Sequence, residues 1–255
     1  MQDEAYEFVT TDDPEERELA DAAMICRACN AFDGTHYGEP LDADLYVFAL
    51  DGAGEMKAVL AAYCMGGTFE GRPVTEAAAF TLPEARRQGL FGAMLEALKE
   101  EPEGEAAIRF AVYETETVTA VLCALGAKKD HDELLMRLLP DAALISRFEE
   151  IAAEESGQAV IEAEETEGSF YCHSAYSELH IRTGSGNAYI YGVQTSASMY
   201  RKHHALSLLA KVILHFYREG CESFLLEVSD RNLPAVSLYR RLGFCEEDRL
   251  SYYYF

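Results

Sequence analysis

One order of elements is written twice along this chain, and the repetition limits its possible folds more than any other feature. In the first half a basic turn, Arg86-Arg87-Gln88-Gly89, opens a helix over Gly89–Glu100. Leu90, Phe91, Met94, Leu95 and Leu98 recur on one side of it at helical spacing. A strand at Ala106–Tyr113 follows, then a helix over Val118–Leu125 that Gly126 ends. In the second half the segment Tyr200–Ser207 leads into a helix over Ala205–Arg218, with Leu206, Leu209, Val212, Ile213 and Phe216 facing inward. A strand at Ser223–Val228 and a helix over Leu233–Leu242, ended by Gly243, repeat the order. The period is too long for a solenoid, so the chain reads as two related α/β modules in tandem.

The remaining segments fit that plan. Pro14–Phe32 reads as one or two helices, because Glu15, Glu16 and Glu18 suit the positive end of a helix dipole. Asp44–Leu50, Glu55–Gly66, Val74–Leu82 and Glu133–Leu139 read as strands of the first module. Asp141–Glu155 reads as a helix, and the acidic stretch to Gly168 as a solvated face or linker. Phe170–Ile181 and Ala188–Thr195 are strands around the turn Thr183–Asn187, and Arg249–Phe255 closes the second sheet. The expected organisation is therefore a module over 1–140, a helix and acidic linker over 141–167, and a shorter module over 168–255.

Composition excludes several function classes. The 255 residues carry a net charge of -24. Nucleic acid and anionic membrane both need clustered Lys and Arg, which this chain lacks. A cationic substrate such as an amine would be drawn by such a field, although acidity also serves solubility alone. No apolar run approaches membrane-span length, and Met1–Tyr6 carries no signal-peptide pattern, so a cytoplasmic location is expected. Seven scattered cysteines read as reduced thiols. Cys26 and Cys29 lie in a helical pattern with no second pair to complete a zinc site, and His203-His204 point apart on a helix, so no metal is expected.

The turn at Arg86–Gly92 is the first candidate for chemistry. A helix N-terminus leaves backbone N–H groups unpaired beside a positive dipole. A glycine there admits a phosphate, and arginines add charge, which makes the segment a candidate pyrophosphate cradle. It lacks the Gly-Lys-Ser/Thr of a Walker loop and the three glycines of a Rossmann turn. A plain strand-to-helix turn is the alternative reading.

Taken together, the strand, the Arg-x-x-Gly-x turn, the helix, the strand and the run Asn232-x-x-Ala235-x-x-Leu238-Tyr239-x-x-Leu242-Gly243-Phe244 resemble the GNAT superfamily of N-acetyltransferases. The resemblance covers most of residues 1–139 once and 168–255 again, the second copy without the N-terminal helices. It implies two modules, each with a central, mostly antiparallel, twisted sheet flanked by helices. It also implies transfer of an acetyl group from acetyl-CoA to an amine. Pantetheine would pair with Phe80, Thr81 and Leu82. Pyrophosphate would lie on the backbone of Arg87, Gln88, Gly89, Leu90, Phe91 and Gly92, with Arg86 at the motif's first place. Phe91 departs from the expected small residue. In the second copy Val193, Thr195, Arg201 and Asn232 take the cofactor-side places, with His204 where the turn glycine belongs. The tyrosine that would protonate the departing thiolate is Tyr239. Leu122 stands at that place in the first copy, where Tyr113 is the substitute.

An amine must lose a proton to attack, so a carboxylate or water chain is needed. Glu76 is the candidate base of the first module and Glu178 of the second, and each is equally a surface strand glutamate. Periodicity alone makes Tyr239 a core aromatic beside Leu238 and Leu242. The losses are complementary: one copy keeps the glycine and the other the tyrosine. The expected function is an acetyl-CoA-dependent N-acetyltransferase with one working module, the first being preferred for its glycine and its N-terminal helices. The alternative is a non-catalytic CoA-binding or scaffolding protein. Small-molecule and peptide amines both remain open as acceptors. The tail Tyr252–Phe255 offers either a surface for a homodimer or a strand that completes the second sheet.

Overall fold

Residues 6–154 and 158–255 are described by the structure, a computed structural model, and they fall into two units. One takes the chain up to Asp130 together with Leu250–Phe255, and the other takes His131–Arg249. Met1–Ala5, read above for an export signal, and residues 155–157 of the acidic stretch lie outside the described residues.

The first unit runs β1 (Glu7–Thr11), α1 (Glu16–Asp33), β2 (Leu45–Leu50), β3 (Met56–Phe69), β4 (Arg72–Thr81), α2 (Leu90–Lys99), β5 (Ala107–Val112) and α3 (Glu116–Ala124). The acidic start of α1 is a capping box, in which Glu18 accepts the Glu15 backbone N–H at 2.8 Å. The strand β2 is apolar throughout because both its faces are covered. Tyr46 and Phe48 meet Ala22, Ile25 and Cys26 of α1, while Val47 and Ala49 meet the Leu90, Met94 and Leu95 side of α2. Strands β1 to β5 lie in sequence order, antiparallel except for the parallel pair β4–β5.

The second unit contains most of β6 (Lys128–Leu138), then α4 (Ala142–Glu154), β7 (Val160–Ala163), β8 (Ser169–His173), β9 (Ser177–Gly184), β10 (Asn187–Thr195), α5 (His204–Arg218), β11 (Ser223–Ser229), α6 (Leu233–Leu242) and the start of β12 (Cys245–Tyr254). Its strands run β6-β11-β10-β9-β8-β7, again antiparallel except for one parallel pair, β10–β11. All its core residues join one cluster, in which Leu134, Met136, Leu179, Ile181, Ile190, Phe224 and Leu226 of the sheet meet the apolar faces of α4, α5 and α6. The mixed α/β architecture with mostly antiparallel sheets is as expected from the sequence.

Three local expectations are corrected. Phe170–Ile181 is not one strand. Ser174-Ala175-Tyr176 turns the chain between β8 and β9, and the Ser174 hydroxyl accepts the Ser177 N–H at 3.3 Å. The turn uses a serine side chain and no glycine or proline, so strand periodicity runs through it. The acidic stretch contains an edge strand, β7, whose Ile161 packs on the core while its one glutamate, Glu162, is exposed. The tail groups with the first unit. Ser251–Tyr254 pair antiparallel with Val112–Arg109 of β5 in the first unit, burying Tyr253 and Tyr254. Conversely Glu133–Leu138, expected in the first sheet, pair with Ser229–Phe224 of β11 in the second. A strand's pairing partner is set by tertiary packing, which alternation along the strand does not encode.

Candidate active site

Each unit opens a notch in its sheet at the parallel pair. The β4–β5 register holds only from Val74–Ala107 to Glu76–Arg109, although β4 continues to Thr81. The β10–β11 register holds from Asn187–Ser223 to Ile190–Leu226, although β10 continues to Thr195. Beyond each notch the backbone makes the same turn. In the first unit a 3-10 turn at Pro83–Ala85 leads to left-handed Arg87 (φ 63°) and Gly89 (φ 82°), and α2 begins. In the second a 3-10 turn at Ala197–Met199 leads to left-handed Arg201 (φ 62°) and His203 (φ 66°), and α5 begins. The counterpart of Gly89 is therefore His203 and not His204, a correction of one residue. His204 is the first helical residue and meets the Tyr176 ring at 4.7 Å. Histidine is among the few residues that enter the left-handed region with some regularity. The His203 imidazole is turned toward α6, with Nδ1 3.2 Å from a guanidinium nitrogen of Arg241.

In the first unit the sequence-derived residues are near one another, but internal partners hold most of them. Phe80 is buried in the α1-side core. The Thr81 carbonyl accepts from Cys29 Sγ at 3.2 Å and Arg86 Nε at 3.1 Å, and the Leu82 N–H donates to Lys57 at 3.0 Å. Arg86 forks onto Asp33 at 2.8 and 2.7 Å and covers the Phe32 ring, so it clasps the turn to the end of α1. Arg87, Gln88 and Gly89 are exposed, and the Gln88 amide oxygen accepts from Tyr6 at 2.9 Å. Leu90 is buried and Phe91 meets Phe110 edge-on, while Gly92 lies against Leu125. Glu76 is engaged by Arg109, at 2.9 Å from Nε and 2.5 Å from Nη2, in the closed part of the sheet.

A residue that the sequence reading missed fills the first notch. The Tyr37 ring packs edge-on against Phe80 of β4 and against Tyr113, just beyond β5, at 5.6 and 4.9 Å. Its hydroxyl accepts the Tyr113 backbone N–H at 2.6 Å. His36 also packs edge-on against Tyr113, at 5.1 Å. Tyr37 therefore ties the two diverging strands together. Leu122, at the place of Tyr239, is buried among apolar groups.

The second notch is open. A cleft of about 330 Å³ is lined by Ile190, Tyr191, Gly192, Val193 and Gln194 of β10, by Glu227, Val228 and Ser229 of β11, and by Glu133, Asn232 and Tyr239. A register shift between Tyr191 and Gln194, with Gly192 left-handed, swings β10 away from its neighbour here. Tyr239 is 6 % exposed, and burial pushes its hydroxyl up to about 12. Among the described residues none hydrogen-bonds this hydroxyl. Burial also raises the Glu133 carboxyl, opposed by His131 at 3.6 Å and reinforced by Glu227 and Asp230. Asn232 caps α6, its side chain accepting the Ala235 N–H at 3.3 Å. Val193 lines the cleft, whereas the Thr195 hydroxyl is bonded to Ser177 at 2.9 Å. Glu178 lies outside the cleft lining and accepts from Tyr171 at 2.7 Å. Glu133 and Glu227 were not singled out from the sequence. Their only signal is a charged residue alternating with core residues on strands otherwise rich in leucine.

Other sequence candidates resolve simply. Cys26 and Cys29 are buried in α1, and burial pushes the Cys26 thiol up to about 11, which makes it a poor nucleophile. Among the described residues no cluster of His, Cys, Asp and Glu forms a metal cage, and no helix is long and apolar enough to cross a membrane.

Comparison with known proteins bears on the fold. Residues 130–244 match the family model described as the acetyltransferase (GNAT) family. No curated protein sequence matches the chain. Among solved structures, a GCN5-related N-acetyltransferase from Sphaerobacter thermophilus is similar at 17 % identity and a TM-score of 0.67, over 97 % of this chain and 95 % of the other. A tandem GNAT protein from the clavulanic acid biosynthesis pathway is similar at 14 % identity and a TM-score of 0.61, over 98 % of each chain. A glucosamine N-acetyltransferase region of a fungal multi-domain β-N-acetylglucosaminidase is similar at 10 % identity and a TM-score of 0.70, over 98 % of this chain and 38 % of the other. At these identities the likeness is one of fold: the chain has the fold of GNAT acetyltransferases, and its residues 130–244 match the sequence model of that family.

Proposed function

We propose that the protein is an acyl-CoA-dependent N-acyltransferase, in the first instance an N-acetyltransferase, whose working site is the cleft of the second unit. The observation that carries this reading is Tyr239, a buried residue whose hydroxyl has no protein partner among the described residues and which lines an open notch between parallel strands. The residues present suit the cosubstrate. The β10 edge beyond Ile190 has backbone groups to offer a pantetheine amide. The N-terminus of α5 presents unpaired N–H groups, and Arg201 and Lys202 are exposed beside it. Bound acyl-CoA would supply the activated acyl group. The chain's own residues then manage protons. The Glu133 carboxylate takes a proton from the acceptor ammonium, so that nitrogen can bond the acyl carbon. Tyr239, held protonated by burial, gives its proton to the sulfur as the carbon–sulfur bond breaks, and its phenolate takes the second proton from the nitrogen to leave the neutral amide.

In this reading the first unit is a structural partner, because Tyr37 occupies its notch, Asp33 holds Arg86, and Leu122 replaces the acid. Its exposed Gly89 turn then shares the backbone shape of the second unit's turn without holding a cosubstrate. A cytoplasmic setting suits an acyl-CoA enzyme whose seven cysteines are all free.

Calorimetric titration of the intact protein with acetyl-CoA, followed by thiol release over a panel of primary amines, tests the proposal. One site per chain, turnover on an amine, and loss of turnover but not binding in Tyr239→Phe are expected. A site abolished by Gly89→Val and untouched by Tyr239→Phe would move the activity to the first unit. His203 at the turn favours a second reading, a non-catalytic CoA-binding protein, since a side chain narrows the phosphate approach. Tight binding without turnover on any amine would select it.

A further inference from the structure

The face of the second sheet opposite its core carries an ordered row that the proposed chemistry does not use. Leu179, Ile181 and Cys172 face the core, so their neighbours in β8 and β9 face away. On that outer face Glu162 of β7 stands opposite Tyr171 of β8, Tyr171 opposite His180 of β9, and His180 opposite Tyr191 of β10. The rings are in contact along the row, with centroids 5.2 Å apart for Tyr171–His180 and 5.3 Å for His180–Tyr191. Tyr191 is 37 % exposed and lines the cleft with Glu227 and Glu133. The row therefore leads across the strands and ends at the candidate active site.

Carboxylates flank this lane along its length. Glu164 bonds His180 Nδ1 at 2.9 Å, Glu178 accepts from the Tyr171 hydroxyl at 2.7 Å, Glu162 closes the far end, and Glu133 and Glu227 close the near end. The arginines on the same face stand further back along the strands, Arg182 level with Tyr189 and Arg137 level with Leu225, while His131 lies 3.6 Å from Glu133 at the near end. Carboxylates attract ammonium groups by charge, and the row of rings between them offers apolar cover to the methylene segments that link such groups. From β10 to β7 the lane crosses three strand spacings, roughly 14 Å at about 4.8 Å each. That length suits a flexible chain carrying more than one ammonium, with its terminal amine in the cleft.

We propose that the Tyr191–His180–Tyr171 lane binds the distal cations of an elongated oligoamine, the acceptor class of this site; the proposal rests on the acyltransferase reading above. A compact monoamine would reach the cleft without touching the lane.

The test compares spermidine with n-butylamine as acceptors at saturating acetyl-CoA, in the wild type and in Tyr171→Leu and Tyr171→Phe, with spermidine binding also measured by calorimetry without cosubstrate. The wild type is expected to favour spermidine at least tenfold in kcat/KM. Tyr171→Leu should raise the spermidine KM about tenfold without changing kcat or the butylamine values, and Tyr171→Phe should restore it. Equal efficiency on both amines, or a lysine-rich peptide preferred to spermidine, would overturn the assignment while leaving the acyltransferase reading intact. No turnover on any amine would defeat that reading instead. In that case the lane stands if spermidine binds and Tyr171→Leu weakens it, and falls if spermidine does not bind.

Discussion

Tyr239 and Leu122 sit at matching places in two copies of one helix, and their surroundings decide what each can do. Leu122 is enclosed by carbon and packs. Tyr239 has its ring against Phe244 and lines a cleft with two carboxylates. Removing that hydroxyl in Tyr239→Phe should lower kcat by about 10²-fold or more, the usual range for a lost general acid, while acetyl-CoA affinity and melting temperature hold. With the hydroxyl pushed up to about 12, no alkaline limb should appear in kcat below about pH 11. Glu133 produces the acid limb. Its carboxyl is raised by burial, so it must lose its proton before it can accept one, and kcat/KM rises as pH rises through that raised value. The sign for stability is opposite. A folded-state value above the unfolded one favours the protonated form, so stability is full below the unfolded value and falls as pH rises through the folded one. Glu133→Gln should therefore raise the melting temperature at neutral pH while lowering turnover. A variant less stable than wild type at pH 7 would show that Glu133 is held by partners and not strained by burial.

At the level of elements, the two strand-turn-helix passages differ less in backbone than in what fills them. Tyr37→Phe removes the hydroxyl that accepts the Tyr113 N–H across the first notch. It should cost about 1 kcal/mol in denaturant unfolding and leave acetyl-CoA affinity unchanged. Gly89→Val places a β-branched residue at φ 82° and should also destabilise, even though no atom lies within 4 Å of the added carbon. Much of this level was legible beforehand. The amphipathic run of α5 and the cap-to-glycine span Asn232–Gly243 signal their own helices through local spacing, and both helices fold there. The notch plug was not legible, because Tyr37 lies in a loop after α1 and reaches β5 only through tertiary contact. The turn register slipped by one for a related reason. A left-handed histidine and a helical histidine are adjacent and chemically alike, and only the dihedral at His203 distinguishes them. Glu133 and Glu227 escaped notice because a strand glutamate is ordinarily a solvent-facing residue, and only the divergence of β10 from β11 makes a cleft beside them.

Two properties belong to the molecule as a whole. With a net charge of -24, the field attracts cations over distances that salt shortens, so the KM of a cationic acceptor should rise with ionic strength while that of acetyl-CoA falls or holds. The second property is the return of the chain's end to the first unit. Ser251–Tyr254 pair with β5 and bury Tyr253 and Tyr254, although 119 residues of the other unit, His131–Arg249, intervene. The first unit is therefore not complete until the last strand has been made, and a fragment ending near residue 140 lacks it. The Tyr253 hydroxyl also meets Glu114 at 2.5 Å, beyond the end of β5. Deleting residues 250–255 should raise amide exchange in Ala107–Val112, whose antiparallel partner is lost, and lower the stability of the first unit by several kcal/mol through two aromatic side chains and a ladder of backbone bonds. Exchange in Ser223–Ser229 should change much less, since β11 keeps β6 and β10 as neighbours. Uniform loss of protection in both strands would mean that the two units unfold as one, and that the closing strand stabilises the chain rather than the unit in which it pairs.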